Sequence, residues 1–289
     1  KAIYQPFPQA VPSAYILNID ECLGNNPIAC GKCLEVCDKE CINYDDEDQL
    51  VDIEVGTIIV CVGMDVYDPT TLDEFGYTRY ENVITSMEFE RLINSGGPTK
   101  GHLIRLTDGE RPKTVAFIQC IGSRDESRGN PYCSNFCCMN TVKDCLLIKD
   151  HYPDVDIKVF YMDIRAFGKG FEDLFQRSKD AGTVYIRGIP GEIEEDPDTK
   201  SLRLYAEDTT RGGVECHEVD MVVLSVGAAP RRDSDVIQRL LTLQRSQDGF
   251  FLEAHPKLKP VDAATQGVFF AGCAESPKDI KDSVTQASA

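Results

Sequence analysis

The chain has 289 residues, 42% hydrophobic and 27% charged, the make-up of an ordinary globular protein with material for a sizeable core and one to three domains. Its formal charge of -18 disfavours nucleic acid or an anionic membrane surface as a partner. No stretch approaches the ~20 apolar residues that span a bilayer, and the nearest, "VGTIIVCVGM", is too short. Thirteen clustered cysteines, with no basic-then-apolar leader, favour metal ligation in a reducing cytoplasm over a secreted disulfide framework.

Residues 1–50 are polar and turn-rich. "CLGNNPIACGKCLEVC" runs C-x7-C-x2-C-x3-C through Cys22, Cys30, Cys33 and Cys37. Its tail matches the close of the bacterial ferredoxin run, in which a tight turn brings thiolates onto one iron–sulfur cube and the last cysteine reaches a neighbouring cluster. The first gap is longer here, and Asp38 stands where that run has proline. Structural zinc competes, since C-x2-C pairs commonly hold it. The absence of a distant second pair favours iron–sulfur, and Cys41 reads as a packed or free thiol.

"QLVDIEVGTIIVCVGMDVYDP" reads as a hairpin strand followed by a buried strand, with Cys61 in the core. "TSMEFERLINS", residues 85–95, reads as a helix capped by Thr85 or Ser86. A new unit opens at "GERPKTVAFIQC". Its strand is followed by the loop "QCIGSRDESRGNPYCSNFCC", a helix to about 151, a strand at 156–164, a helix at 171–182 and a strand at 183–188. Such alternation predicts a parallel sheet with right-handed crossovers. A polar hairpin pair then leads to the buried strand "MVVLSVG". A loop at "HPKLKP", a short strand "GVFFAGC" and a helix from about 277 complete the chain.

The loop after "TVAFI" occupies the place of a glycine-rich phosphate loop, yet it carries Cys120, Cys133, Cys137 and Cys138, spaced C-x12-C-x3-C-C. A disulfide between Cys137 and Cys138 is disfavoured by geometry, and a zinc site on an adjacent pair is unusual. A helix start is expected to lower the pKa of both thiols and ready them for metal. Buried or redox-active cysteines remain the competing reading. Cys145 reads as core, and His102, His151, His217 and His255 show no metal spacing. Cys30 and Cys33 form the one C-x-x-C pair and lie in the ferredoxin-like stretch, so no flavin-adjacent dithiol is evident.

These residues together resemble a known family. "KAIYQPFPQAVPSAY", "CLGNNPIACGKCLEVC", "QCIGSRDE", "YCSNFCCMNTVKDCLLIK", "VVLSVG" and "FFAGCAESPKDIKDSVTQASA" are similar to the A-type component of heterodisulfide reductase, over nearly the whole chain. The resemblance implies an α/β, thioredoxin-reductase-like flavoprotein with two dinucleotide-type domains and a small ferredoxin-like insertion. Residues 1–50 are then part of the inserted domain, 51–108 and 231–289 are FAD-domain segments, and 109–230 is the second, NAD-domain-like unit. The family's first cysteine run is then expected before Lys1, and its glycine-rich FAD motif is expected either in a longer form of this subunit or on another chain.

By the same resemblance, Cys120, Cys133, Cys137 and Cys138 hold a 4Fe-4S cluster in place of a pyridine nucleotide. The end of the chain is similar to the strand, turn and helix that meet a flavin ring, making Gly272, Cys273, Lys278, Asp279 and Ile280 contact candidates. A capped surface helix is the alternative. Lys143, with Glu90 as partner, is either a flavin-tuning charge or part of a solvated helix face. The implied cofactors are FAD and 4Fe-4S clusters. The implied partners are B- and C-type subunits, with hydrogenase- or dehydrogenase-type donors, in a multi-subunit assembly. The disulfide-reducing site then lies on a partner, and electron bifurcation is left open. Two other readings stand beside this one: an NAD(P)H-dependent flavin disulfide reductase and a zinc-stapled scaffold.

Overall fold

The computed structural model describes all residues except 1, 8, 25–28, 47–49 and 129. It divides into two compact units, residues 1–55 and 56–289. Among the described residues no helix is long and apolar enough to cross a membrane.

The smaller unit has little regular structure. Strands β1 (Ile3–Tyr4) and β2 (Ile16–Leu17) pair antiparallel, and one short helix, α1 (Lys32–Val36), follows Gly31 at φ 69°. Ala10 is its buried apolar residue, so packing alone supplies almost no core here. A unit this size normally needs disulfides or metal to hold it.

In the larger unit β3 (Ile58–Val60) and β4 (Asp65–Val66) come first. No strand forms over residues 50–56, where a hairpin strand was expected: Leu50, Val51, Ile53 and Val55 alternate with acidic residues but are all exposed. Cys61, expected in the core, is exposed just beyond β3. Next come β5 (Val83–Thr85) and α2 (Ser86–Ile93). Thr85 caps α2 through a capping box: Thr85 Oγ1 accepts from the Glu88 N–H at 3.2 Å, and Glu88 Oε2 accepts from the Thr85 N–H at 2.7 Å. That assigns the cap to Thr85 and leaves Ser86 as the first helical residue.

The predicted alternation follows as β6 (Thr114–Ile121), α3 (Cys137–His151), β7 (Asp156–Tyr161), α4 (Phe171–Asp180) and β8 (Val184–Arg187). An antiparallel meander, β9 (Glu192–Glu195), β10 (Leu202–Glu207) and β11 (Val214–Val219), leads into β12 (Met221–Val226). Strands β5, β12, β6, β7 and β8 form one parallel sheet in that order. Residues 83–93, read from sequence as part of the 51–108 segment, thus contribute a strand and a helix to the sheet built from 114–226.

Period-two alternation assigns the two faces of that sheet. Val115, Phe117, Ile157, Val159, Met221 and Val223 face the helices, where they meet Phe89 and Leu92 of α2 and Cys145 and Ile148 of α3. Ala116, Ile118, Phe160, Val222 and Leu224 face Ile193, Leu202 and Leu204 of the meander. All six residues of β12 are buried, as befits a central parallel strand covered on both faces.

After β13 (Ala228–Ala229) and α5 (Ser234–Leu241), strands β14 (Glu253–His255), β15 (Lys259–Ala263) and β16 (Val268–Phe270) join β3 in a second sheet, ordered β14-β15-β16-β3. "HPKLKP" is the turn between β14 and β15. The chain then ends in α6 (Ile280–Ser288). Pairing of β16 with β3 is parallel and brings sequence positions some 200 residues apart into register, Val268 with Ile58 and Phe270 with Val60.

Candidate redox site at the strand switch

Along the five-stranded sheet the chain moves from β6 outward through β7 to β8, then returns to place β12 on the opposite side of β6. The direction of travel therefore reverses between β6 and β12. In open parallel sheets ligands bind at such a reversal, outside the carboxyl ends of the strands. The cysteine loop lies there, joining the end of β6 to the start of α3 beside the end of β12.

Four thiols converge in this loop. Cys120 is the penultimate residue of β6, Cys133 lies in the loop, and Cys137 and Cys138 are the first two residues of α3. Cys137 feels charge on the other three, and Cys120 feels charge on Cys133 and Cys138. Cys137 Sγ lies 3.6 Å from the Val226 carbonyl of β12, and Cys138, 8% exposed, lies 3.9 Å from the Asp163 carbonyl beyond β7. Among the described residues no set of three or more His, Cys, Asp or Glu side chains stands where it could hold a metal ion.

The expected lowering of thiol pKa at the helix start is not what the fold produces. Burial, then mutual repulsion, pushes Cys120 up to about 11 and raises Cys137 well above the ordinary thiol value; burial also raises Cys138. Removal from water outweighs the dipole of α3 because a thiolate loses far more hydration than a helix end returns. Left to themselves Cys120, Cys137 and Cys138 are held as neutral thiols, and a bound cation would favour their thiolate form.

The loop is held by a dense set of bonds. Ser123 Oγ and Ser134 Oγ are 2.6 Å apart, and Ser134 Oγ accepts the Ala228 N–H at 2.8 Å. Tyr132 Oη donates to the Ala228 carbonyl at 2.9 Å, Asn130 Nδ2 to the Gly122 carbonyl at 3.0 Å, and Gly227 N–H to the Ile121 carbonyl at 2.8 Å. Cys120, Arg124 and Asn135 all have positive φ, between 60° and 64°. Such backbone costs about 1–3 kcal/mol per residue and persists where the surroundings over-determine it. The strain marks a loop shaped for its side chains.

Gly122 has φ 70°, and a Cβ on it would lie 2.0 Å from the Tyr67 ring, so the chain's own aromatic covers the backbone that a pyrophosphate approaches in nucleotide-binding sheets. Asp163, beyond the end of β7 where such sheets present an acidic residue to a ribose, instead receives Arg124 in a two-pronged contact at 2.7 and 2.9 Å. Residues Gly122, Ser123, Arg124 and Asp125 of the loop nonetheless border a cleft of about 290 Å³, together with Cys120, Phe75, Met162 and Ile189.

Asn135 Nδ2 donates to the Pro277 carbonyl at 2.9 Å, tying the cysteine loop to the segment before α6. In that segment Gly272 turns at φ 74° and its N–H donates to Gln286 Oε1 at 2.9 Å. Cys273 Sγ is 3.3 Å from the Lys278 carbonyl. The Lys278 ammonium folds back on its own turn, onto the Gly272 carbonyl at 2.8 Å and Glu275 at 2.6 Å. Asp279 caps α6 by accepting the Asp282 N–H, while its Oδ2 is buried without a partner. Ile280 is 85% exposed, apart from the rest of the candidate set.

Lys143 and Glu90, 53 residues apart, meet as an ion pair between α3 and α2. Sequence reasoning missed the third member. Asp144 is fully buried, and Lys143 Nζ lies 2.9 Å from its Oδ1 at a poor hydrogen-bond angle, while Oδ2 accepts from Asn140. Helical periodicity could have found it, since Asp144 lies four residues before buried Ile148 and three after buried Thr141. Burial, then the charge on Glu90, pushes its carboxyl up to about 7 against the opposing pull of Lys143. The folded chain therefore holds a proton that the unfolded chain releases near pH 4. The resulting stability is complete below pH 4 and is lost as pH rises to about 7. Denaturant titration over that window should show a falling contribution that Asp144→Asn abolishes; an unchanged slope in the variant would disprove it.

In the smaller unit the first cysteines separate into two pairs of contacts. Cys33 Sγ and Tyr44 Oη share a hydrogen bond at 2.8 Å, which with burial and nearby Cys22 pushes the phenol up to about 12. Cys37 and Cys41 sulfurs are 3.5 Å apart; backbone N–H groups of Cys41 and Lys39 hold Cys37 down, and contact with Cys37 drives Cys41 up. Cys30 is exposed. Cys41, read from sequence as a spare thiol, is thus drawn into this group.

Together, the sheet and its cysteine loop define an α/β protein with a dinucleotide-type parallel sheet that presents thiols where a phosphate loop is usual. No family model matches the chain. Curated relatives do: it is 55% identical over its whole length to the second of the iron-sulfur A subunits of CoB–CoM heterodisulfide reductase in Methanopyrus kandleri. It is 52% identical to the A-type component of the H2:CoB-CoM heterodisulfide, ferredoxin reductase of Methanothermobacter thermautotrophicus, over 100% of the chain. The iron-sulfur A-type component of the CoB–CoM heterodisulfide reductase of Methanocaldococcus jannaschii is 48% identical over 99% of the chain. The chain belongs to this family, the A-type components of heterodisulfide reductase, and it spans 43% of the length of these three relatives. Among solved structures, thioredoxin reductase from Lactococcus lactis aligns with all of the chain and 81% of its own at 13% identity and a TM-score of 0.49. That from T. acidophilum aligns with 80% and 62% at 14% and 0.45.

Proposed function

We propose that this chain is the flavin- and iron–sulfur-bearing part of an electron-transfer subunit in a heterodisulfide-reductase-like complex. The observation that carries the reading is the convergence of Cys120, Cys133, Cys137 and Cys138 at the strand switch, in a strained, heavily bonded loop whose Gly122 is covered by the Tyr67 ring. The donor set is all sulfur and largely withdrawn from water. Four thiols with no oxygen or nitrogen donor among them are the ligand type that iron–sulfur clusters take. Bound there, a 4Fe-4S cluster supplies one-electron chemistry and FAD two-electron chemistry. The chain's own part is to ligate, orient and exclude water.

Cys22, Cys30, Cys33 and Cys37 are proposed ligands of a second cluster, with Cys41 beside them. The turn 272–280, joined to the cysteine loop through Asn135, would face the flavin with backbone groups of Gly272, Cys273 and Asp279. In this reading the Lys278 ammonium shapes that turn, Ile280 lies at its margin, and the Lys143–Glu90 pair supplies a charge near the ring. B- and C-type subunits, with hydrogenase- or dehydrogenase-type donors, would exchange electrons with it, and bifurcation at the flavin belongs to the same proposal.

The rival flavin disulfide reductase needs a nicotinamide site. Tyr67 over Gly122 and Arg124 on Asp163 speak against one. The test is a census of the anaerobically purified complex: iron, acid-labile sulfide, flavin and zinc, with low-temperature EPR after dithionite and flavin absorbance after NADPH. The expected result is iron and sulfide with cluster signals, and a flavin that NADPH does not bleach. Stoichiometric zinc without a cluster signal, or rapid bleaching by NADPH, overturns the reading.

A further inference from the structure

We propose that Arg124 is a positioning residue that raises the reduction potential of the cluster at the strand switch, a role that rests on the cluster reading above. Arg124 and Cys120 line the same cleft, and Asp163, which holds the guanidinium, has its carbonyl 3.9 Å from the Cys138 sulfur, so the Arg124 charge acts on both thiols. Both prongs are anchored on Asp163, at 2.7 and 2.9 Å, and Asp163 takes Arg165 Nε as well at 3.3 Å. Arg124 is also fixed from behind. Its backbone has φ 60°, and its N–H donates to the Tyr132 carbonyl at 3.0 Å within the cysteine loop.

An arginine held this way is neither a ligand nor a freely moving surface cation. The side chain is 22% exposed, so solvent screens its charge only in part. Adding one electron to the cluster, from dithionite through a mediator, makes the cluster and its four thiolates more negative by one charge. A fixed positive charge near two of the sulfurs favours that reduced form. Arg165 adds charge of the same sign on the far side of Asp163, whereas the Asp163 carboxylate opposes both. The fork geometry explains why arginine serves: two N–H groups on one carboxylate fix where its charge sits, which a lysine's single ammonium does less firmly. The acidic position that nucleotide-binding sheets turn toward a ribose is here turned toward the cation beside a thiol.

The test is EPR-monitored potentiometric titration of the anaerobically purified complex carrying the wild-type chain, Arg124→Gln or Arg124→Lys, with iron counted in each. Arg124→Gln is expected to keep its iron and to lower the midpoint of this cluster by about 59 mV, a tenfold change in the oxidised-to-reduced ratio for one electron. Arg124→Lys, which keeps charge but not the fork, should recover part of the shift. Loss of the cluster in Arg124→Gln that Arg124→Lys restores also supports the proposal, because charge is then what the site requires. An unmoved midpoint with full iron overturns it, as does equal loss of iron in both variants, which marks a purely structural arginine. If the wild-type complex lacks a cluster that Cys120→Ser removes, the underlying cluster reading fails, and that result is separable from an Arg124 variant that merely titrates like wild type.

Discussion

Cys137→Ser should remove about four iron atoms from each copy of the protein and the EPR signal of one cluster, with the flavin retained. Cys137 is the residue best placed for so large an effect, since it opens α3, lies 3.6 Å from the Val226 carbonyl of β12 and interacts with the other three thiols. A serine hydroxyl is a harder and far less acidic donor than a thiol, and the desolvation that already raises the Cys137 pKa penalises an alkoxide more heavily still. Cys61→Ser is the matched control, because Cys61 is an exposed thiol just beyond β3 of the other sheet. Unchanged iron and an unchanged signal in Cys137→Ser would remove the four-thiol site from consideration.

Gly227→Ala should be nearly as damaging, although it adds one methyl group and touches no thiol. A Cβ at Gly227 would lie 2.0 Å from Ser123 Oγ and 2.7 Å from Ser134 Oγ, between the two hydroxyls that clasp the ends of the cysteine loop. Both serines are buried, and Ser134 also receives the Ala228 N–H. Overpacking costs about 1–3 kcal/mol, and a buried hydroxyl left without its partner about as much again. The expected outcome is a loss of about 2–4 kcal/mol by denaturant titration, with depleted iron because Cys120 and Cys133 are spread apart. Adding Ser123→Ala should recover part of both by opening space for the methyl. Full stability and full iron in the single variant would show that the clasp is not what holds the loop.

Much of the fold was legible along the chain. Thr85 with Glu88 announces a capped helix, and the alternation from 114 to 187 announces a parallel sheet, because caps and hydrophobic periodicity act between residues a few positions apart. The same locality misled at residues 50–56 and at Cys61. An alternating apolar pattern states what a strand needs but not whether a neighbouring strand is there to pair with it, and here those side chains are exposed. At the candidate site the donor types and spacing were visible in "YCSNFCC", but the direction of the thiol pKa shift was not. A helix dipole can be read from sequence, whereas burial depends on what packs above.

Sequence alone determined which residues could do chemistry: two groups of sulfur donors, a phosphate-loop position without its glycines, and the match to one family over the whole chain. Tertiary structure decided how they are used. It set β12 beside β6, so that Gly227, Ala228 and Val226 brace a loop about 100 residues earlier. It laid Tyr67 over Gly122, turned Asp163 toward Arg124, and buried Asp144 beside the Lys143–Glu90 pair. Each of these relations joins residues distant in the chain or depends on what covers them, and their energies come from desolvation and charge. Those terms exist only once the chain has closed around them.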